Sequence, residues 1–307
     1  MLTIFNVFLK FDRVLMIISN VIGGLGNQMF QYTAGRALSL QLGTSLKLDV
    51  DDLGGYGLHH GFELDRLFAG EFELASKIDK QTVLGWQKGS AIRRVLKRST
   101  LTFARNKNYI VEPSFTYWNG INGLKDNIYL DGYWQSERYF SAFVATIKAD
   151  FTFKLPLSAK NLQIASNISN VNAVSLHVRR GDYVSNKKAN SIHGVCSLDY
   201  YRDAIKSILN HIENPVFFVF SDDIAWVKNN LVIEAQSIFI DHNTGEESYN
   251  DMRLMSLCQH HIIANSSFSW WGAWLNTSPN KIVIAPKRWF VQSRSTDDLI
   301  PITWFKL

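Results

Sequence analysis

The sequence predicts an α/β protein built from two Rossmann-like domains that face each other across a cleft. Three observations carry this reading. The chain has 307 residues, which suits two cores of about 150 residues each better than one. Short β-branched runs alternate with stretches of helical periodicity, the pattern of parallel sheets joined by crossover helices. The polar clusters of the second half fall where predicted strands end, and open parallel sheets bind ligands outside those carboxyl ends.

Taken in order, Met16 to Ile22 reads as a strand, followed by the glycine turn Gly23, Gly24, Leu25, Gly26. Met29 to Leu42 is predicted as a helix closed by Gly43, and Ser45 to Val50 as the second strand. Residues 54 to 70 loosen into aromatic and glycine-rich loops. The stretch to Asp150 reads as mostly helical, with a short strand at Asn127 to Gly132. Pro156 and its polar neighbours interrupt the periodicity between Phe151 and Lys160, so the domains are placed at 16–155 and 156–307. In the second half Val174 to Val178 is a strand, and Leu198 to Leu209 carries apolar residues at 198, 201, 205, 208 and 209, one helical face. Val216 to Phe220, His261 to Ala264 and Lys281 to Ala285 are further strands, and Phe268 to Leu275 a helix. No internal repeat interrupts this plan.

Composition narrows the class. Apolar residues make up 46% and charged residues 19%, a globular rather than disordered balance. A net charge of +5 and a pI near 9.1 give a mild basic bias, compatible with a phosphate-bearing substrate, an anionic membrane surface or nucleic acid. No Lys/Arg run resembles a nucleic-acid arm. The densest cluster, Arg93, Arg94, Lys97 and Arg98, is read as a solvated helix face, with a membrane-facing one as the alternative. Cys196 and Cys258 are the only cysteines, so there is no disulfide framework and no paired-thiol metal motif. The apolar opening, Met1 to Leu15, is interrupted by Lys10, Asp12 and Arg13. It is too short for a membrane helix and lacks a signal-peptide cleavage site, and it is read as an extension or a mis-assigned start. A cytoplasmic protein is expected, with peripheral contact at the inner membrane left open.

Three clusters carry the chemistry. His177, Arg179, Arg180, Gly181 and Asp182 end one strand; Ser221, Asp222 and Asp223 end the next. Asn265, Ser266 and Ser267 end a third and open the helix at Phe268. Adjacent arginines present forked donors suited to a diphosphate. Strand alternation puts Ser175, His177 and Arg179 on one face, while Arg180 starts the loop. Hydroxyls and backbone N–H groups at a helix N-terminus form an anion site, and Asp222 or Asp223 can accept the paired N–H donors of a guanine edge. Each cluster has a bland reading: a surface ion pair, an N-cap, and, for Trp270, Trp271 and Trp274, core packing, which is favoured over a sugar platform. Convergence on one cleft favours a nucleoside-diphosphate ligand.

In the first half, the glycine turn resembles a dinucleotide fingerprint, and Asp49 sits where a ribose-binding acid would. Met29 occupies the place of the third glycine, so the match is weak. Asn27 and Gln28 are expected at the mouth of the turn, amides aimed into the cleft. Asp49-Val50-Asp51 has the form of a metal-holding acid triplet, but ordinary strand-end solvation is preferred.

Four motifs resemble one family. They are Gly23-Gly24-Leu25-Gly26-Asn27-Gln28-Met29-Phe30-Gln31-Tyr32, His177-Val178-Arg179-Arg180-Gly181-Asp182-Tyr183, Phe220-Ser221-Asp222-Asp223 and the run from Ile263 to Leu275. In this order and spacing they resemble the motifs of the α-1,2-fucosyltransferases of glycosyltransferase family 11, closest to bacterial members used in O-antigen and other surface-glycan synthesis. The resemblance spans nearly the whole chain from Met16. It implies a GT-B-type architecture with the acceptor domain first, and inverting transfer of L-fucose from GDP-fucose to the 2-hydroxyl of a galactoside. It implies neither cofactor nor metal. The partners implied are GDP-fucose and a galactose-terminated oligosaccharide or lipid-linked glycan, and no nucleic acid. Carried over residue by residue, it assigns Arg179 and Arg180 to the diphosphate and His177 with Asp222 or Asp223 to the nucleoside. Ser266 and Ser267 go to phosphate, with Ser221, Asn265 and Phe268 completing the donor site. Gly24, Gly26, Asn27, Gln28 and His193 face the acceptor side.

Catalysis is expected from Arg179, Arg180, Asp182 and Asn27, with Asp182 and His193 as candidates for a general base that the sequence does not identify. Two rival readings stand beside this one. An NAD-dependent oxidoreductase would use the glycine turn and Asp49, and leaves the arginine cluster without a role. A non-catalytic glycan-binding protein would account for the nine tryptophans but not for the paired arginines.

Overall fold

The computed structural model describes residues 15–55, 60–181, 190–192, 194–292 and 295–307. Two fully parallel sheets organise them. The first contains β1 (Met16–Asn20), β2 (Ser45–Asp49), β3 (Tyr109–Val111) and β4 (Ile128–Asp131), in the order β2-β1-β4-β3. The second has β5 (Asn172–Val178), β6 (Pro215–Ser221), β7 (Ser237–Ile240), β8 (His260–Ile262), β9 (Val283–Ala285) and β10 (Phe305–Lys306). Its order is β10-β9-β8-β5-β6-β7. The central strands β5 and β6 are buried along nearly their whole length; β6 accordingly reads as a continuous apolar run, while β5 alternates apolar residues with Ser175 and His177.

The helices follow as α1 (Leu25–Leu42), α2 (Leu64–Leu67), α3 (Lys77–Leu84), α4 (Ser90–Leu96) and α5 (Val144–Asp150) in the first part. The second part adds α6 (Ala159–Ser169), α7 (Leu198–His211), α8 (Ile224–Asn230), α9 (Tyr249–Leu257) and α10 (Ser267–Leu275). Helix α7 starts where the Ser197 hydroxyl accepts the Tyr200 N–H, and buries Tyr201, Ile205 and Ile208. None of the described helices is long and apolar enough to cross a membrane.

Each sheet has a switch point. From β1 the chain moves to β2 on one side and later returns to β4 on the other; from β5 it moves to β6 and returns to β8. Crevices open at the carboxyl ends of such strands. Those of β1 and β5 carry the glycine turn and the arginine cluster.

The two halves share one core. Phe30 of α1 packs its ring 4.5 Å from Trp270 and 4.8 Å from Trp271 of α10. The Trp271 indole donates to the Gly26 carbonyl at 2.9 Å and Trp270 to the Leu299 carbonyl at 2.9 Å. Trp274 donates to Glu137. The tryptophans are thus core and lobe-to-lobe packing, as the bland reading had them. Each of these three indoles has its hydrogen bond satisfied.

Two expectations need correction. Asp49 is not solvated at its strand end: it is fully buried, salt-bridged to Lys80 and Arg93 at 3.0 Å each, and accepts the Tyr129 hydroxyl at 2.7 Å. Asp51 also pairs with Lys80. Every Asp49 oxygen is therefore engaged, which removes the ribose-binding role that an oxidoreductase would need. Nor is Arg93 part of a solvated face. It is 1% exposed, and α4 turns it inward while Arg94 and Arg98 stay exposed.

Candidate active site

The crevices meet in a cleft of about 820 Å³ between the two sheets. The first lobe lines it with Ile22 to Asn27, His60, Glu63, Tyr133 and Gln135. The second brings His177, Arg179, Ser221, Asp222, Asp251 and Asn265 to Phe268, among others.

Its floor is where two helix N-termini touch. Helix α1 begins after Gly24, which has no side-chain cap, and α10 begins after Ser266, whose hydroxyl accepts the Phe268 N–H. Gly23 enters α1 at φ +78°, a left-handed conformation that suits glycine. At Gly26 even a Cβ would stand 2.6 Å from the Ser267 carbonyl carbon and 2.7 Å from the Phe268 nitrogen. Only glycine lets the two helix starts come this close. Asn27 locks them together, its Oδ1 accepting from Gln135 Nε2 at 2.7 Å and from Ser267 Oγ at 3.0 Å. Two macrodipoles thus present their positive ends to one cleft, a setting for an anion.

Among the described lining residues the permanent cation is Arg179. Leaving β5, its Nη1 lies 3.0 Å from Asp222 Oδ2, so the carboxylate at the end of β6 orients it at the cleft wall. Gly181 stands back-to-back with Asp222, where a Cβ would come within 2.9 Å of Oδ2. His177, one alternation before Arg179, is buried and faces the Phe268 ring at 6.0 Å. Burial, then the Arg179 charge, pushes it well below the usual histidine range, so it is a neutral imidazole in the cleft. Its Nδ1 is buried without a partner. Ser221 lines the cleft and accepts the Asp223 N–H at 3.0 Å. Asn265 ties the cleft's far wall, donating to the Gly194 and Trp289 carbonyls at 3.3 and 3.2 Å.

The predicted residues are not all brought together. Arg180 turns away from the lining: its guanidinium lies 3.9 Å from the Trp226 ring centroid and its Nε 3.6 Å from Asp223. Asp223 in turn caps α8 by accepting the Trp226 N–H. Gln28 is also misplaced by the sequence reading. It is fully buried beneath the turn, donating to the Gly23 and Gly61 carbonyls and accepting the Glu63 N–H, so it fastens the loop rather than facing the cleft. Asp182 and His193 lie outside the described residues. Among the described residues no group of three or more His, Cys, Asp or Glu side chains is placed to hold a metal ion.

Two cleft carboxylates went unread. Burial pushes Asp251 up to about 7, against the Asn243 hydrogen bond that favours its charged form. Glu63 is likewise raised by burial, which outweighs the pull of His60 and Arg66. Among the described lining residues Glu63 is the first lobe's one carboxylate. Neither stands in a recognisable motif, and only the chain's return to the cleft brings them there.

A model of Glycosyl transferase family 11 matches residues 79–307. The chain belongs to glycosyl transferase family 11. It is 40% identical to an alpha-1,2-colitosyltransferase of Escherichia coli over 95% of this chain and 99% of that protein. It is 34% identical to the E. coli O-antigen biosynthesis glycosyltransferase WbnK, over 93% and 98%. A shorter stretch, 33% of this chain and 28% of the relative, is 31% identical to a galactoside alpha-(1,2)-fucosyltransferase 1 of Leontocebus fuscicollis. In fold it resembles the Bradyrhizobium NodZ alpha-1,6-fucosyltransferase co-crystallized with GDP, at TM-score 0.52 and 13% identity over 88% of this chain and 94% of that one. The two facing sheets are the GT-B-type arrangement, and this family 11 member is a glycosyltransferase.

Proposed function

We propose that this enzyme transfers L-fucose from GDP-fucose, with inversion and without a metal, to the 2-hydroxyl of a galactoside in O-antigen or other surface-glycan synthesis. The observation that supports this most is the seating of Arg179 opposite two touching helix N-termini. A diphosphate needs such a setting, and a leaving GDP needs it more as charge develops. In the step, the bond from the sugar anomeric carbon to the β-phosphate oxygen breaks and its electron pair stays with GDP. The acceptor oxygen bonds to the same carbon from the opposite face, and its proton goes to a base. Ser266, Ser267 and Arg179 face the diphosphate; His177 and Asp222 face the nucleoside.

Glu63 fits the base: it lies on the lobe opposite Arg179, and burial raises it toward the operating range of a proton acceptor. Glu63→Gln is expected to lower kcat by about 10²-fold or more with little change in donor KM, and to erase the acidic limb of the pH–kcat profile. An unchanged limb would remove Glu63 from the step.

A second reading concerns the donor alone. The relative at 40% identity is named a colitosyltransferase, and colitose is fucose without its 3-hydroxyl, so GDP-colitose is the competing donor. The test is transfer to lactose from each donor with EDTA present. Faster turnover of GDP-fucose supports the main reading and faster turnover of GDP-colitose the second. Activity lost to EDTA and restored by manganese would overturn the metal-free step.

A further inference from the structure

The charge of this protein is concentrated in one place. Between Lys77 and Lys107 there are nine Lys/Arg residues and a single acid, Asp79, a net +8. The whole chain carries +5, so everything outside this segment sums to −3. The segment is α3, α4 and the two 3₁₀ turns Gly85–Lys88 and Ser99–Ala104. All of it packs on one face of the first sheet, where Val83, Leu84 and Leu96 cover Met16, Ile18, Tyr109 and Tyr129. Gln87 donates to the Ala104 carbonyl, and Arg105 donates to the Leu96, Lys97 and Arg98 carbonyls, so the pieces form one surface.

The inner side is saturated: Lys80 and Arg93 are spent on Asp49 and Asp51, and Lys97 reaches Asp131 at 2.7 Å. The outer side carries Lys77, Lys88, Arg94, Arg98 and Lys107, all exposed. Among them stand large apolar side chains that nothing covers: Phe103 is 85% exposed, Ile78 78%, Trp86 63% and Val95 49%. Single exposed apolar residues need no explanation, but four on the same outer face as the chain's cationic surplus do. A polyanion in water would be held by the cations, and even a nucleic acid stacking bases on Trp86 and Phe103 would gain nothing from Ile78 and Val95. A bilayer interface takes both: anionic headgroups for the cations, and the acyl boundary for the aromatic and aliphatic tips.

We propose that this face of the first lobe docks on an anionic lipid bilayer. The inference is independent of the donor sugar. It deepens the proposed function by choosing the lipid-linked acceptor over the free oligosaccharide. The patch adjoins the cleft: Lys97 holds Asp131 at the end of β4, and Tyr133, two residues on, lines the cleft. Docked this way, the enzyme holds its first-lobe rim at the surface where an anchored glycan stands.

The test is co-sedimentation of the full chain with phosphatidylcholine vesicles with and without about 30% phosphatidylglycerol, at low and high salt. Wild type is expected to bind the anionic vesicles at least tenfold more tightly than the neutral ones. Arg94→Glu/Arg98→Glu should remove most of that binding, and Trp86→Ser/Phe103→Ser should weaken it severalfold even at low salt. Both variants should keep wild-type transfer to soluble lactose, since neither touches the cleft. Failure of wild type to prefer anionic vesicles overturns the proposal. So does binding that ignores Trp86→Ser/Phe103→Ser but is matched by heparin or RNA, which would make the patch a general polyanion site. Loss of lactose transfer in every form, with vesicle binding intact, would count against the proposed reaction and leave the docking face standing.

Discussion

Arg179→Ala should lower kcat/KM for GDP-fucose by about 10²–10³-fold, the effect of removing one charge-stabilising donor, or about 2.7–4 kcal/mol. Three things make the expected loss large. Among the described residues Arg179 is the arginine that lines the cleft. The other stabilising elements there are helix N-termini, which carry only about half a charge each. And Asp222, now holding Arg179 at 3.0 Å, would be left in the cleft as an uncompensated anion. Arg179→Lys keeps the charge but not the fork, and should recover only part of the loss. The informative contrast is Arg180→Ala. Stacked on Trp226 and paired with Asp223 away from the lining, it should cost less than about tenfold, an exposed-pair effect. Steady-state kinetics on the three variants decide this. If Arg180→Ala is as damaging as Arg179→Ala, the diphosphate is not seated as proposed.

That contrast also shows what was legible in the sequence. Alternation along β5 already separates Arg179 from Arg180, because successive side chains of a strand point to opposite sides. The alternating βα pattern announced two parallel sheets, and the clusters at the ends of β5, β6 and β8 announced where the cleft opens. Short elements were missed: β3 has three residues and β10 two, too few to establish a period. Helix α1 was expected from Met29 but begins at Leu25. Its first turn is hidden by Gly24 and Gly26, poor helix formers, of which Gly26 is present because α10 arrives against it. What lay beyond reach was pairing at long separation. Gln28 meets the loop 33 and 35 residues later, and Asp49 meets Arg93 44 residues later. A carboxylate at a strand end looks the same in sequence whether water or a buried arginine completes it.

The buried pair carries the largest stability prediction. Arg93→Ala should destabilise the first lobe by about 3–5 kcal/mol, the cost of leaving a buried charge without its partner, against a total of about 5–15 kcal/mol for a typical domain. Arg93 reaches Asp49 at 3.0 Å and Asp52 at 3.8 Å, sits 4.8 Å from the Tyr129 ring centroid and donates to the Lys88 carbonyl, so its loss also frees α4 from the sheet. Chemical denaturation of single and double variants tests this. Arg93→Met with Asp49→Asn should cost clearly less than the two single changes added together, since the orphaned charge disappears. Strict additivity would mean that the pair does not hold the lobe. The pH dependence follows with a definite sign. Burial alone would raise Asp49, but the Tyr129 hydrogen bond, Lys80 and the Arg93 charge outweigh it and hold the carboxyl below its ordinary value of 3.8. A depressed carboxylate stabilises the fold above that value, and its contribution fades as the pH falls through the lower folded value. Wild type should therefore lose stability on acidification below about pH 4, and Asp49→Asn, already without the charge, should lose less over the same range.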